Sequence, residues 1–277
     1  MKRIRVQQHI VGIIAILVSA VVFLLPFAFV LLQASKNQTD AADLDFSLPT
    51  QFQFFQNVVT VFQSRDYMLV TAFINSAILT VVSVTVMVLV SAMIGWVIAR
   101  RTSWWGSAMS FFVLAGLIVP PAVVPTIWVL QSLGLFKTMP GLTFIEVAYG
   151  MAFCILLFRA FVSTIPKELD EAALLDGAGP IRLFFQLAFP LLRSVIVTAI
   201  VVQSIAVFND FQNPLYFTPG ERNATVQVTL YNFMSQYLTQ YHLLFTDVLL
   251  ITIPPLLMYI FFNRQIVEGM VAGAIKG

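Results

Sequence analysis

Apolar residues fall in six long runs separated by polar segments, at 10–32, 68–99, 106–130, 142–161, 187–207 and 243–262. A helix needs about 20 predominantly apolar residues to cross a hydrocarbon core of about 30 Å. The pattern therefore predicts six transmembrane helices in an all-α, polytopic membrane protein. The first run carries no charge and follows Lys2, Arg3 and Arg5. A cleaved signal has an apolar core of only about 7–15 residues. This run is longer and lacks a clear small-x-small site, so an uncleaved anchor is expected. Prolines interrupt the third run (Pro120, Pro121, Pro125) and the sixth (Pro254, Pro255).

The connections are unequal. Residues 33–67 and 208–242 are long and polar, and 162–186 is the longest segment on the other side. Basic residues set the orientation, because cytoplasmic loops carry the excess of Lys and Arg. With the amino terminus inside, 11 of the 15 basic residues face the cytoplasm. Six spans then return the carboxyl terminus to the same side. The connections leave no room for a separate soluble domain, so 1–277 reads as one transmembrane domain.

Composition agrees with this picture. Hydrophobic residues make up 59% and charged residues 10%, with a mean hydropathy of +0.91. Soluble domains average about 45–50% apolar and about 25% charged. An ordinary soluble enzyme and a disordered chain are excluded. A net charge of +2 excludes a nucleic-acid surface. A single cysteine, Cys154, and two distant histidines, His9 and His242, offer neither a disulfide framework nor a metal site. No phosphate-cradling G-x-x-x-x-G-K-[ST] occurs. Energy must therefore come from an ion gradient or from another subunit.

Ion-coupled transporters place carboxylates inside the membrane. Here only Glu146 and Asp247 qualify, each close to a span end, while Arg159 and Arg193 can snorkel. Glu146 is a functional candidate, or else a polar contact to a neighbouring helix. A secondary transporter acting alone would also show an inverted repeat, and none is visible. A membrane-embedded enzyme would gather His, Asp or Ser at one depth, which the chain does not do.

The segment 162–186 is more informative. Pro166 suits a first helical turn. Glu168, Asp170 and Glu171 follow where acids favour the helix dipole. Leu169, Ala172 and Ala173 share one face, Leu174 continues the apolar run, and Gly177 and Gly179 end the helix. A short helix–turn–helix outside the bilayer is expected, serving either as a docking surface or as an amphipathic interfacial loop.

Glu171-Ala172-Ala173, Gly177 and Leu187-x-Phe189-Pro190 resemble the E-A-A-x3-G-x9-I-x-L-P motif of permease subunits in binding-protein-dependent ABC importers. Phe73-Ile74-Asn75-Ser76, Pro120–Pro125 with Leu133-Gly134-Leu135, and Asn209-Asp210-Phe211 are also similar to that family. So is the tail from Val267 to Gly277, which resembles maltose-type, MalG-like sugar permeases.

The resemblance implies a permease in a bacterial or archaeal plasma membrane. Its partners would be a second related permease, two ATPase subunits and an extracytoplasmic sugar-binding protein. ATP and Mg would be used by the ATPases, with no cofactor in this chain and no catalytic residue. It implies that Asp170, Glu171, Ala172, Ala173, Leu174 and Gly177 form the coupling contact. The tail, with Gly269, Gly273 and Lys276, would reach the ATPases as a thin, extended chain. Tyr231, Asn232, Gln236 and Tyr237 would meet the binding protein, against plain solvent exposure. Asn75, Pro120, Pro121, Gln131, Asn209 and Gln212 are pathway candidates, although such polar groups as readily satisfy a neighbouring helix.

Overall fold

The structure is a computed structural model that describes residues 2–101, 103–234 and 239–274. Among these residues the fold is all-helical. The helices are α1 (Lys2–Ala34), α2 (Gln38–Ala42), α3 (Phe54–Arg100), α4 (Trp104–Ile118), α5 (Val123–Ser132), α6 (Met139–Val162), α7 (Glu168–Leu175), α8 (Pro180–Leu191), α9 (Arg193–Phe208), α10 (Gln212–Phe217), α11 (Val226–Thr229) and α12 (Tyr241–Ala274). A 3-10 turn, Leu230–Phe233, extends α11.

Four stretches are long and apolar enough to cross a membrane: Ala15–Ala34, α3, α6 and Tyr241–Asn263. The α4–α5 and α8–α9 pairs each bend at a short break, by 113° and 76°, and make up to six spans if each pair counts as one. Proline explains both bends. Pro120 and Pro121 lack an N–H and hold the preceding Val119 extended, at ψ 122°. Pro190 is accommodated by a π-helical stretch, Leu183–Ala188, in which Phe189 N–H reaches back five residues to Phe184 O. Both breaks occur where the chain resembles family motifs.

One break has no sequence signal. Ser64 is extended, and Arg65, Asp66 and Tyr67 are left-handed, with φ of 48°, 52° and 60°. Left-handed non-glycine residues cost about 1–2 kcal/mol each. The apolar run beginning at Met68 starts directly after this turn.

The chain divides into two units. The first holds residues 1–70 and 229–253. Its polar connection is closely tied. The buried Lys36 Nζ donates to Asp45 Oδ1 at 2.7 Å and to Asp45 O at 3.0 Å. Asn57 Nδ2 donates to both Ala34 O and Lys36 O at 2.9 Å. The hydrogen bond from Lys36, helped by two from Ser47, draws the Asp45 carboxyl down to about 2. Thr229 Oγ1 donates to Asp247 Oδ2 at 2.8 Å, so that buried carboxylate is held inside the protein.

The second unit, residues 71–228 and 254–277, carries the larger core. Leu79, Met87 and Ala92 of α3 pack with Leu142, Cys154 and Phe158 of α6 and Val195 and Ala199 of α9. Two glycines set the spacing. A methyl on Gly95 would lie 2.7 Å from Phe158 Cβ, and one on Gly150 would lie 2.6 Å from Met87 Sδ. Small residues let helices approach in this way where lipid offers no hydrophobic drive.

Candidate functional site

The helix–turn–helix expected at 162–186 is realised as α7, a turn, and α8. Acids fill the first turn of α7, at Glu168, Asp170 and Glu171. Its carboxyl end is a Schellman motif. Gly177 N–H donates to Leu174 O and Ala178 N–H to Ala173 O, each at 3.0 Å. Gly177 has φ +80°, and nothing lies within 4 Å of where its Cβ would be. Backbone conformation, not space, therefore demands glycine there.

No residue of α7 is fully buried. Glu171, Ala172, Leu174 and Leu175 are exposed, and Leu175 and Ile181 reach 89% and 77% exposure. Asp170 and Ala173 are half-buried and turn towards the protein. Ala172 and Ala173, which the sequence places on one face, differ in exposure: Ala172 is exposed and Ala173 half-buried. Residues one apart on a helix lie about 100° apart, since 3.6 residues complete a turn.

Arg100, which the sequence marks only as a span terminator, fastens this element. Its Nη1 donates to Ile165 O at 2.9 Å and its Nη2 to Pro166 O at 3.4 Å. Its Nε lies 2.6 Å from Asp170 Oδ2, as an ion pair without a directed hydrogen bond from Nε–H. The guanidinium also stacks 4.7 Å over the Trp96 ring. Burial pushes the Asp170 carboxyl above its ordinary value, and Arg100 opposes that rise without cancelling it. These contacts tie the last turn of α3 to the first turn of α7. A pairing across 70 positions leaves no local periodicity to read.

The pathway candidates lie on several elements, and most of those on α3, α9 and α10 are engaged by nearby protein groups. Asn75 Nδ2 donates to Ala224 O at 3.0 Å and to Arg222 O at 3.3 Å. The next residue, Ser76, accepts from Val226 N–H at 3.0 Å. This Asn-Ser pair therefore holds the 222–226 segment against α3. Asn209 caps α9 and accepts from Gln227 Nε2 at 3.2 Å. Gln212 begins α10, its N–H bonded to Asp210 Oδ1 at 2.8 Å, and Gln131 is exposed in the last turn of α5. Pro120 and Pro121 are exposed at the α4–α5 bend. Glu146 is buried and accepts from Asn213 Nδ2 at 3.2 Å. That is the helix–helix contact set out as the alternative to a functional carboxylate. Sequence reading missed four buried hydroxyls among the described residues, of Thr80, Ser83, Tyr149 and Thr225, which have no hydrogen-bond partner.

Of the outer candidates, Tyr231 is exposed in the 3-10 turn, and Asn232 contacts Met68 Sδ at 3.3 Å. Gln236 and Tyr237 lie outside the described residues, as does Lys276. Gly269 and Gly273 sit in α12, which stays helical to Ala274. The expected extended tail is thus a helix there. Alanine and valine between the glycines keep helical bonding competitive despite a cost of about 1 kcal/mol per Gly. Among the described residues no group of three or more His, Cys, Asp or Glu could hold a metal.

Residues 91–270 match the family of binding-protein-dependent transport system inner membrane components. The melibiose/raffinose/stachyose import permease protein MelC of Bacillus subtilis is 27% identical over 274 residues, covering 98% of both chains. The diacetylchitobiose uptake system permease protein NgcG of Streptomyces coelicolor is 29% identical, over 93% of this chain and 85% of that one. A bacterial ABC transporter involved in import of the polysaccharide alginate shares the fold, with a TM-score of 0.79 over 95% of this chain and 98% of that chain at 17% identity. The same transporter type, solved with an alginate pentasaccharide-bound periplasmic protein, gives 0.68 over 94% of each chain at 16% identity. Members of this family are permease subunits and not enzymes, which removes both the solitary ion-coupled transporter and the membrane enzyme. The match spans well over half the sequence and includes α7 with its Gly177 turn, so this chain belongs to the binding-protein-dependent transport system inner membrane components.

Proposed function

We propose that this chain is one permease of an ATP-driven importer that moves a sugar or oligosaccharide inward by alternating access. The observation that carries the coupling half of this reading is α7. It is exposed, closed by a glycine-dependent turn, and fastened to the end of α3 by Arg100. Leu175, with Ile181 near the start of α8, gives it an apolar outer surface suited to a groove on another protein. A push on α7 would pass through Arg100, which holds Ile165 O and Pro166 O just ahead of the helix, into α3, and the reverse path would report substrate arrival.

The substrate class rests on the relatives, whose names specify oligosaccharide cargo. The partners are a second permease, two ATPase subunits holding ATP and Mg, and an extracytoplasmic sugar-binding protein that meets the segment around Tyr231 and Asn232. The basic-residue bias orients α7 and both termini to the cytoplasm. The end of α12, with Gly269 and Gly273, joins the ATPase contact. Purified alone, the chain is expected to bind and hydrolyse no ATP. With ATPase subunits present, hydrolysis should appear and rise with loaded binding protein. Nucleotide binding by the isolated chain would overturn the proposal.

A further inference from the structure

A cavity of about 460 Å3 lies between the end of α3 and the α7–α8 turn. Its walls are apolar: Met93, Trp96 and Val97 from α3, Leu174 from α7, and Phe184 and Phe185 from α8. Met93, Val97 and Phe185 remain 45%, 41% and 48% exposed, so the slot opens to its surroundings. One end is lined by Arg100, Arg101 and Asp170. Arg100 is already engaged by Asp170 and by Ile165 O. Arg101 has no acidic partner among the described residues, which leaves that end with an unmatched positive charge. Directly beyond it, Trp104 and Trp105 are 71% and 62% exposed, with ring centroids 4.8 Å apart. Exposed tryptophans at a span end mark the headgroup level of a bilayer.

An apolar slot with an unmatched cation at headgroup depth fits an amphiphile with an anionic head, as basic pockets at the cytoplasmic ends of spans do. We propose that this cavity binds an anionic membrane phospholipid, with one acyl chain in the slot and the headgroup phosphate on Arg101. A zwitterionic lipid fits less well, because its own cation lies beside Arg101. Leu174 and Asp170 belong to α7, so the lipid braces the element proposed to carry coupling. Empty, the slot would leave Met93, Val97 and Phe185 in contact with water. The site rests on the inward orientation proposed above, but its test needs neither ATP nor sugar.

The whole complex would be reconstituted in phosphatidylcholine discs, or in an equal mixture of phosphatidylcholine and phosphatidylglycerol. Phosphatidylglycerol or phosphatidylcholine with a photoactivatable acyl chain would then be cross-linked and the labelled peptides mapped. The phosphatidylglycerol probe should label residues 93–97 and 183–185 about fivefold more than the phosphatidylcholine probe, the factor expected of one basic residue near an anionic surface. Arg101→Gln should abolish that preference, and Val97→Trp should reduce labelling by both probes. Equal labelling by the two probes in the parent complex would overturn the proposal. So would phosphatidylglycerol labelling that falls on other parts of the complex and spares residues 93–97 and 183–185. Because the labelling is read without turnover, a failure of transport coupling would leave it unchanged.

Discussion

Asp170 illustrates how one side chain serves attachment at a cost. Its carboxyl is raised by burial more than Arg100 lowers it. A carboxyl raised in the folded state contributes stability below its ordinary value and loses it as pH rises through the raised value. Attachment of α7 should therefore weaken, not strengthen, as pH rises above about 4. Asp170→Asn removes the charge that burial penalises and should leave transport within about twofold. Arg100→Gln removes the ion pair, leaving Asp170 half-buried and unpaired, and should reduce transport severely. Hydrogen exchange of 165–176 across pH, with uptake in the same variants, checks this. A Asp170→Asn loss equal to that of Arg100→Gln would contradict it. Gly177 was legible in the sequence as a helix stop, because only its backbone is at issue. Arg100 was not, because its partners lie more than 60 positions away.

At the scale of elements, the spans were readable because a helix in lipid must satisfy its own backbone and stay apolar along its length. The proline bends were readable for the converse reason. The left-handed turn at Arg65–Tyr67 was not, since those residues are ordinary in helices and no glycine announces the reversal of φ. Nor does Asn75 declare from sequence whether it faces a sugar or a backbone carbonyl. The structure gives it to the carbonyls of Arg222 and Ala224. Asn75→Ala with Ser76→Ala should free the 222–226 segment, since each buried backbone group left unpaired costs about 1–3 kcal/mol. Amide exchange at Val226 should then rise at least about tenfold, which corresponds to ~1.4 kcal/mol. Unchanged exchange would show that other contacts hold the segment. Gly95→Leu should cost more, because it drives a side chain into Phe158 and the backbone of Arg159 at the α3–α6 crossing. Its expected result is loss of folded protein from the membrane, read as the amount extracted in monodisperse form.

For the whole molecule, two claims are separable. Orientation is tested by cysteine labelling in intact cells, which should succeed at Asn223 and fail at Asp176; the reverse pattern would invert the topology. Coupling through α7 is the central claim. Gly177→Val forces a β-branched residue to φ +80°, and Ala173→Trp places an indole where a half-buried methyl now sits. Neither change touches the hydrogen bonds of the spans, so both variants should reach the membrane at near-normal levels. The most direct measurement is ATP hydrolysis by the assembled complex, stimulated by loaded binding protein, alongside sugar uptake in the same membranes. Both should fall together, by at least about tenfold, in Gly177→Val and Ala173→Trp. Stimulated hydrolysis and uptake at parental levels in both variants would show that α7 only connects two spans, and the coupling account would be wrong.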